Sequence, residues 1–290
     1  MPIIEPEKLS VAAVHGYLLG AVTPRPIALA STLDAGGRVN LSPFSFFNCF
    51  GSNPPLLIFS PARRVRDNTT KHTYENVLEV PEVVIHIVNY SMVQQVSLAS
   101  TEYDKGVNEF VKAGFTEVPS IRVKPPRVKE APVAMECKVR QVISTGDEGG
   151  AANLILCEVV LMHISDHILD EAGKIDPVRL DAVARLGGDW YARIGREALF
   201  TVPKPLATKG IGVDKLPDQI RLSNVLTGND LAQLANVEAI PELDNVHPVF
   251  SSLGQGWHSE DNAFVNAKEL IAQGRVSDAW QVLLWYIRGR

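Results

Sequence analysis

The sequence predicts a mainly β protein with helices: an antiparallel barrel with helices outside it, followed by a helical C-terminal extension. Three observations predict this. Strand-length apolar runs punctuated by turn residues fill the first two thirds of the 290 residues. The strand-helix-strand alternation that builds a parallel doubly wound sheet is absent. After about Phe200 the pattern turns helical, which divides the chain into 1–199 and 200–290.

The elements follow in order. "PIALAST" (Pro26 to Thr32) leads into "DAGGR", whose two glycines suit a turn with positive φ, and then into "VNLSPFSFF". "NPP" (Asn53 to Pro55) breaks the chain before "LLIFSP". "VVIHIV" (Val83 to Val88) is short and β-branched. "MECKVRQV" (Met135 to Val142) alternates, so one face is wet, whereas "LILCEVVLMHI" (Leu154 to Ile164) is almost continuously apolar. "TTKHTYENVLEV" (Thr69 to Val80) reads as a helix, with Tyr74, Val77 and Leu78 on one face behind a polar start suited to capping. "SMVQQVSLAS" and "VNEFVKAG" are short helix candidates. In the extension, "TGNDLAQLANV" has Thr227 as a cap. "NAFVNAKELIAQG" and "VSDAWQVLLWYIRGR" form a helix pair, with Gly274 between them and Ser277 as a possible cap. The last helix is apolar enough to dock on its own barrel or on a second subunit.

Composition excludes several classes. The 28 Lys and Arg against 33 Asp and Glu give a net charge of −5 without a basic cluster, which argues against nucleic acid or an anionic membrane as partner. No apolar run is long enough to span a bilayer, and the N-terminus lacks the pattern of a signal peptide. Cys49, Cys137 and Cys157 are odd in number and far apart, which fits reduced thiols rather than a disulfide frame or a metal knuckle. A cytoplasmic protein without a metal site is expected.

Four stretches can carry chemistry. In "TPRPI" (Thr23 to Ile27) two prolines fix the backbone around Arg25, which either presents a cation in a set place or is a solvated strand entry. In "NLSPFSFF" the small polar residues let a flat ligand approach the backbone, or mark an edge strand that tolerates Pro43. "FSPARRVRDNTTKHTYENV" gathers hydroxyls and Lys71 where a helix begins. That combination suits a phosphate, though capping beside a solvated basic loop also explains it. In "RLGGDWYARI" paired glycines allow close approach, and Trp190 and Tyr191 either cover an aromatic ring or pack into the core. His86, in mid-strand, reads as a packed core histidine; His72 lies in the phosphate stretch. G-x-G-x-x-G, G-x-S-x-G and H-E-x-x-H are absent.

Taken together, "TPRPIALAST", "VNLSPFSFFN", "NPPLLIFSP", "KHT" followed by Asn76, and "ARLGGDWYARI" resemble the flavin reductase-like family, which includes flavoredoxin. The resemblance covers about Leu9 to Ile194. It implies a split β-barrel of antiparallel, Greek-key type that binds FMN, and a homodimer with a flavin site at each side of the interface. It places Arg25, Pro26 and Ile27, with Thr23 beside them, near the flavin ring. Asn40, Ser42, Pro43 and Ser45 would line the ring and ribityl chain. Ser60, Arg63, Thr69, Thr70, Lys71 and Thr73 would hold the phosphate, and Gly187, Gly188 and Tyr191 would contact the ring. Where many relatives have Asp after the phosphate lysine, this chain has His72. Where the family's NADH oxidases carry Gly-Asp-His, it has Gly146, Asp147 and Glu148. The resemblance implies an FMN oxidoreductase using NAD(P)H or a redox partner protein, or else an FMN electron carrier; it assigns no catalytic side chain.

Overall fold

The computed structural model describes residues 1–203, 205, 209–253 and 259–288. The chain divides into two compact units, Met1–Leu199 and Phe200–Arg290. In the first unit the strands are β1 (Arg25–Pro26), β2 (Ala28–Leu33), β3 (Val39–Phe44), β4 (Phe47–Ser52), β5 (Pro55–Phe59), β6 (Glu82–Ile87), β7 (Glu117–Val118), β8 (Arg127–Val128), β9 (Val133–Ser144), β10 (Asn153–Ile164), β11 (Val183–Arg185) and β12 (Tyr191–Arg193). Its helices are α1 (Val11–Ala21), α2 (His72–Glu79), α3 (Val93–Ala99), α4 (Glu109–Ala113) and α5 (Pro177–Leu180).

Seven strands form one sheet in the order β3-β2-β6-β9-β10-β5-β4, antiparallel throughout. The two edge strands, β3 and β4, are consecutive in sequence. Only Ser45 and Phe46 join them, so Phe44 and Phe47 are no more than about 11 Å apart. The sheet must therefore curl until its edges nearly meet, which makes it a split barrel. Side chains bridge the seam: the Phe44 and Phe59 rings lie 5.4 Å apart. As the sequence suggested, Pro43 sits on an edge strand, where a missing N–H costs nothing.

β2 is buried on both faces because it separates two cores. Ala28 and Ala30 face the barrel interior with Phe59, Ile85, Met135 and Ile155. Leu29 faces the other way, onto Met92, Val96 and Phe110 beneath α3 and α4. His86 is fully buried as a core histidine: Val128 N–H donates to its Nε2 at 2.9 Å, so its Nδ1 carries the proton and donates to Leu29 O at 2.8 Å. Glu136, also fully buried, accepts from Ile121 N–H, Arg122 N–H and His163 Nε2. A small sheet, β1-β11-β12, stands apart from the barrel strands.

Two features of this unit differ from the sequence expectation. α2 starts at His72, not at the threonines, and no side chain caps it. The Thr69 hydroxyl bonds Asp67 and the Thr70 hydroxyl bonds Glu75, so neither is available as a cap. α1 was not legible at all. Its residues "VAAVHGYLLGA" lack a polar face, and none of them is buried in the chain.

The second unit has its own core. Its longer helices are α6 (Asp218–Arg221), α7 (Gly228–Leu234), α8 (Val249–Ser252), α9 (Glu260–Ala272) and α10 (Val276–Arg288). Thr227 caps α7 in a capping box with Asp230, as its sequence suggested. Gly274, at φ +75°, ends α9; its N–H and that of Arg275 return to Ile271 O and Leu270 O. Ser277 does not cap α10, because the helix already begins at Val276. α10 docks within its own unit: Trp280, Leu283 and Leu284 are fully buried, and Trp280 Nε1 donates to Leu234 O at 3.0 Å.

Candidate functional site

A cleft of about 420 Å³ opens along the barrel seam. Pro43 and Ser45 at the end of β3, Phe46 in the link, and Ser60 after β5 form its floor. Phe46 O accepts from Ser60 N–H at 2.9 Å, which keeps the link in register with β5. His15 and Leu19 of α1 form one wall; Arg63, Arg64, Arg66, Lys71 and Arg185 bring cations to the rim, with Glu102 among them. A volume of this size lies within the range of roughly 300–1,000 Å³ usual for small-molecule sites. A second, water-sized recess of about 20 Å³ joins it at Arg64, Lys71 and Glu102, and is lined by Asn40, Ser42, His72, Thr73 and Glu109 among others.

The loop between β5 and α2 is built from its own side chains. Arg63 folds back on Asn68, donating through Nε to Oδ1 and through Nη2 to the carbonyl, both at 2.7 Å. Asn68 adopts φ +56°, which Asn tolerates better than most residues. Arg64 reaches forward, to Thr69 Oγ1, Thr70 O and Glu102. Asp67 is held down at about 2 by hydrogen bonds from Thr69 and Arg66. The β9–β10 turn supports this loop from behind: Arg63 N–H donates to Ala151 O, and Asn68 Nδ2 donates to Asp147 O.

Lys71 stands out from this network. It is half-buried, immediately before α2, and its ammonium makes no hydrogen bond or ion pair with a described residue. Burial first, then the charge of Arg64, pushes its pKa below the ordinary lysine value. A desolvated cation at a helix start, beside the positive end of the helix dipole, is an environment that attracts an anion.

The structure thus brings together Pro43, Ser45, Ser60, Arg63 and Lys71 in the cleft, and Asn40, Ser42, Lys71 and Thr73 in the recess. Asn40 is buried and donates to Thr73 Oγ1 at 2.9 Å, tying β3 to the start of α2. Thr69 and Thr70 shape the loop and line neither space. Arg25 is buried, with its guanidinium on Leu19 O, Val22 O and Leu186 O, so it clamps the end of α1 to the small sheet. Thr23 is exposed, Pro26 half-buried, and Ile27 packs in the core under α3. Gly187 is needed where α1 passes: a Cβ there would lie 3.3 Å from the Gly20 Cα. Gly188 turns the β11–β12 hairpin at φ +58°, and Tyr191 lies under the Arg185 guanidinium at 4.5 Å. Sequence reasoning missed His15, Leu19, Arg64, Glu102 and Arg185 as site residues. Only the basic run at Arg63 to Arg66 gave a signal for any of them.

Residues 19–179, more than half of the chain and a span that carries all the cleft residues named above except His15 and Arg185, match the family described as flavin reductase like domain. The chain belongs to the flavin reductase-like family. Solved structures agree. Nitrilotriacetate monooxygenase component B from Bacillus cereus is 30% identical with a TM-score of 0.65, covering 70% of this chain and 98% of that one. The 2-nitrobenzoate 2-nitroreductase of Pseudomonas fluorescens is 29% identical at TM-score 0.60, over 72% of this chain and all of that one. A protein described as a flavin reductase with split barrel domain, from Shewanella frigidimarina, is 26% identical at 0.60 and covers 70% of this chain. Within the flavin reductase-like family these names denote oxidoreductases. Among the described residues no helix is long and apolar enough to cross a membrane, and no His, Cys, Asp and Glu cluster could hold a metal.

Proposed function

We propose that this flavin reductase-like protein is an FMN-dependent oxidoreductase of the cytoplasm, with FMN in the seam cleft and electrons supplied by NAD(P)H or a redox partner protein. The observation that carries this is the unpartnered, half-buried ammonium of Lys71 at the start of α2, in a cleft of ligand size. The residues fit the group. Lys71, with Ser60 and the Arg64 side of the loop, suits a phosphate; the Ser60 hydroxyl accepts from Asn153 N–H and so keeps its own hydrogen to donate. Ser42 and Pro43 on an edge strand, and Ser45 just after it, present small side chains where a flat ring can approach the backbone. Thr73 and Asn40 fix the start of α2 relative to that strand. FMN held by these residues would supply the redox chemistry. The chain's own groups bind the phosphate, orient the ring and limit water at the seam.

A homodimer belongs to the same reading. α1 lends His15 and Leu19 to the cleft yet buries none of its residues, and Val11, Tyr17, Leu18, Phe46 and Phe50 are exposed apolar side chains on this unit. A second copy covering α1 would close the cleft. The electron-carrier reading is favoured by one observation: the β9–β10 turn carries Gly146, Asp147 and Glu148, with no histidine to meet a nicotinamide.

The test is the purified protein itself. Heat-released cofactor is expected to run as FMN, because the site offers a single phosphate cradle; recovery of equal FAD refutes it. Anaerobic addition of NADH and NADPH should bleach the flavin if the protein is an oxidoreductase; a flavin that stays oxidised favours the carrier. Light scattering should give twice the 31.7 kDa chain mass; a monomer with FMN still bound removes the interface site. Lys71→Ala is expected to weaken FMN by roughly 10- to 100-fold, the loss of one charge-assisted hydrogen bond of about 1.5–3 kcal/mol, while leaving riboflavin almost unaffected. Titration of both ligands checks this, and equal losses place Lys71 away from the phosphate.

A further inference from the structure

A pair of arginines faces each other across the small sheet. In the β1–β11 pairing Arg25 lies directly opposite Arg185. Like charges opposite each other on neighbouring strands repel. Burial, and then the Arg185 charge, lower the pKa of Arg25. No carboxylate among the described residues pairs with either one, although Asp189 lies in the same hairpin turn. Arg25 is 5% exposed and its Nε is buried without a partner.

The other arginines of the cleft are closed. Arg63 is bound to Asn68, and Arg64 and Arg66 are bound to Glu102. Arg185 makes a single hydrogen bond, from Nη2 to Gly188 O, and its guanidinium carbon sits over the Tyr191 ring, 4.5 Å from the centroid, while the side chain lines the cleft. It belongs to a different group of cations from Lys71, whose charge neighbours are Arg64 and Arg66. A guanidinium held over an aromatic ring, with free donors and a second guanidinium on the strand opposite, matches the carboxylate of a flat molecule.

We propose that Arg185, backed by Arg25, anchors the carboxylate of a planar organic acid, and that such acids are the small-molecule substrate class of this cleft. The proposal rests on the flavin reading for the word substrate, but the carboxylate site stands on the arginine pair alone. Arg185 meets the carboxylate, and Arg25 is a positioning residue that fixes the strand opposite and adds positive potential. Lys71 and the β5–α2 loop serve the phosphate of the cofactor, so the two anionic groups do not compete.

The test uses benzoate, benzamide and inorganic phosphate as probes, titrated into the full-length protein. Binding is read twice, by the flavin difference spectrum of the FMN-loaded protein and by tryptophan fluorescence of the flavin-free protein. Benzoate is expected to bind at least roughly tenfold tighter than its neutral isostere, the worth of one charge-assisted pair. Arg185→Met should remove that preference with FMN content unchanged, and Arg185→Lys should keep part of it. Equal affinity for benzoate and benzamide overturns the proposal, as does a preference that survives in Arg185→Met. Displacement of benzoate by millimolar phosphate, or loss of FMN from Arg185→Met, also overturns it by assigning the arginine to a phosphate. Because the fluorescence arm needs no flavin, a protein that proves not to bind FMN still tests the carboxylate site.

Discussion

Lowering the pH from 6.5 to about 4 is expected to strip about 3 kcal/mol of stability from the first unit through His86 alone. Burial lowers its pKa from 6.5 to about 4, partly offset by the hydrogen bond to Leu29. Within that window the unfolded chain binds a proton at this position and the folded chain does not. Stability therefore falls as pH falls through the window, and the loss is complete below about 4. The geometry gives the reason. Protonating Nε2 would oppose two donors, the new N–H and that of Val128, in a fully buried site. Other groups titrate in the same range, so the measurement is a difference. His86→Gln keeps a donor and an acceptor but has nothing to protonate. Urea denaturation of both proteins from pH 7 to pH 4.5 should show a steeper decline for the wild type. Parallel curves for the two would show that His86 is protonated in the folded state.

Trp280→Ala is expected to cost about 3–5 kcal/mol, confined to the second unit. Trp280 is fully buried among Leu283, Leu284 and Leu234, and its indole N–H satisfies Leu234 O. Removing it leaves both a cavity and an unpaired carbonyl. For a unit of this size the loss is a large part of a total stability of about 5–15 kcal/mol. The first unit keeps its own cores, none of which contains a residue beyond 199. Thermal unfolding of Trp280→Ala should lose or lower one transition while flavin absorbance is retained. A chain ending at Leu199 should likewise be soluble and yellow. Loss of flavin in either variant would mean that the C-terminal unit is required for the site.

The parts of the site legible in the sequence are those whose chemistry is local. Ser60 to Lys71 shows its hydroxyls and cations within a dozen residues of a helix start, and Lys71 lines the cleft there. Thr227 and Gly274 were readable because capping depends on residues three or four positions away. What was not legible depends on contacts formed between distant segments. No local rule separates Arg63 from Arg64; the choice follows from Asn68 taking a left-handed conformation that pulls Arg63 back. Asn40 reads as a ligand-facing amide until α2 arrives with Thr73. Glu109, buried and raised in pKa chiefly by desolvation, holds Leu41 N–H from α4, 68 residues away. α1 lacks the polar face that marks an amphipathic helix, so periodicity could not find it.

The two-residue link between β3 and β4 has a consequence for how the protein matures. Ser45 and Phe46 are a clasp: they hold together two edges whose separation is set by the five strands between them, β2, β6, β9, β10 and β5. The cleft acquires its shape only when β10, which begins at Asn153, more than 100 residues downstream, has been added to the sheet. A molecule seated across the clasp touches both lips of the closed ring, so it binds the closed ring more tightly than the sprung one. With the cofactor in the cleft as proposed, its uptake there would double as a seal on the finished barrel.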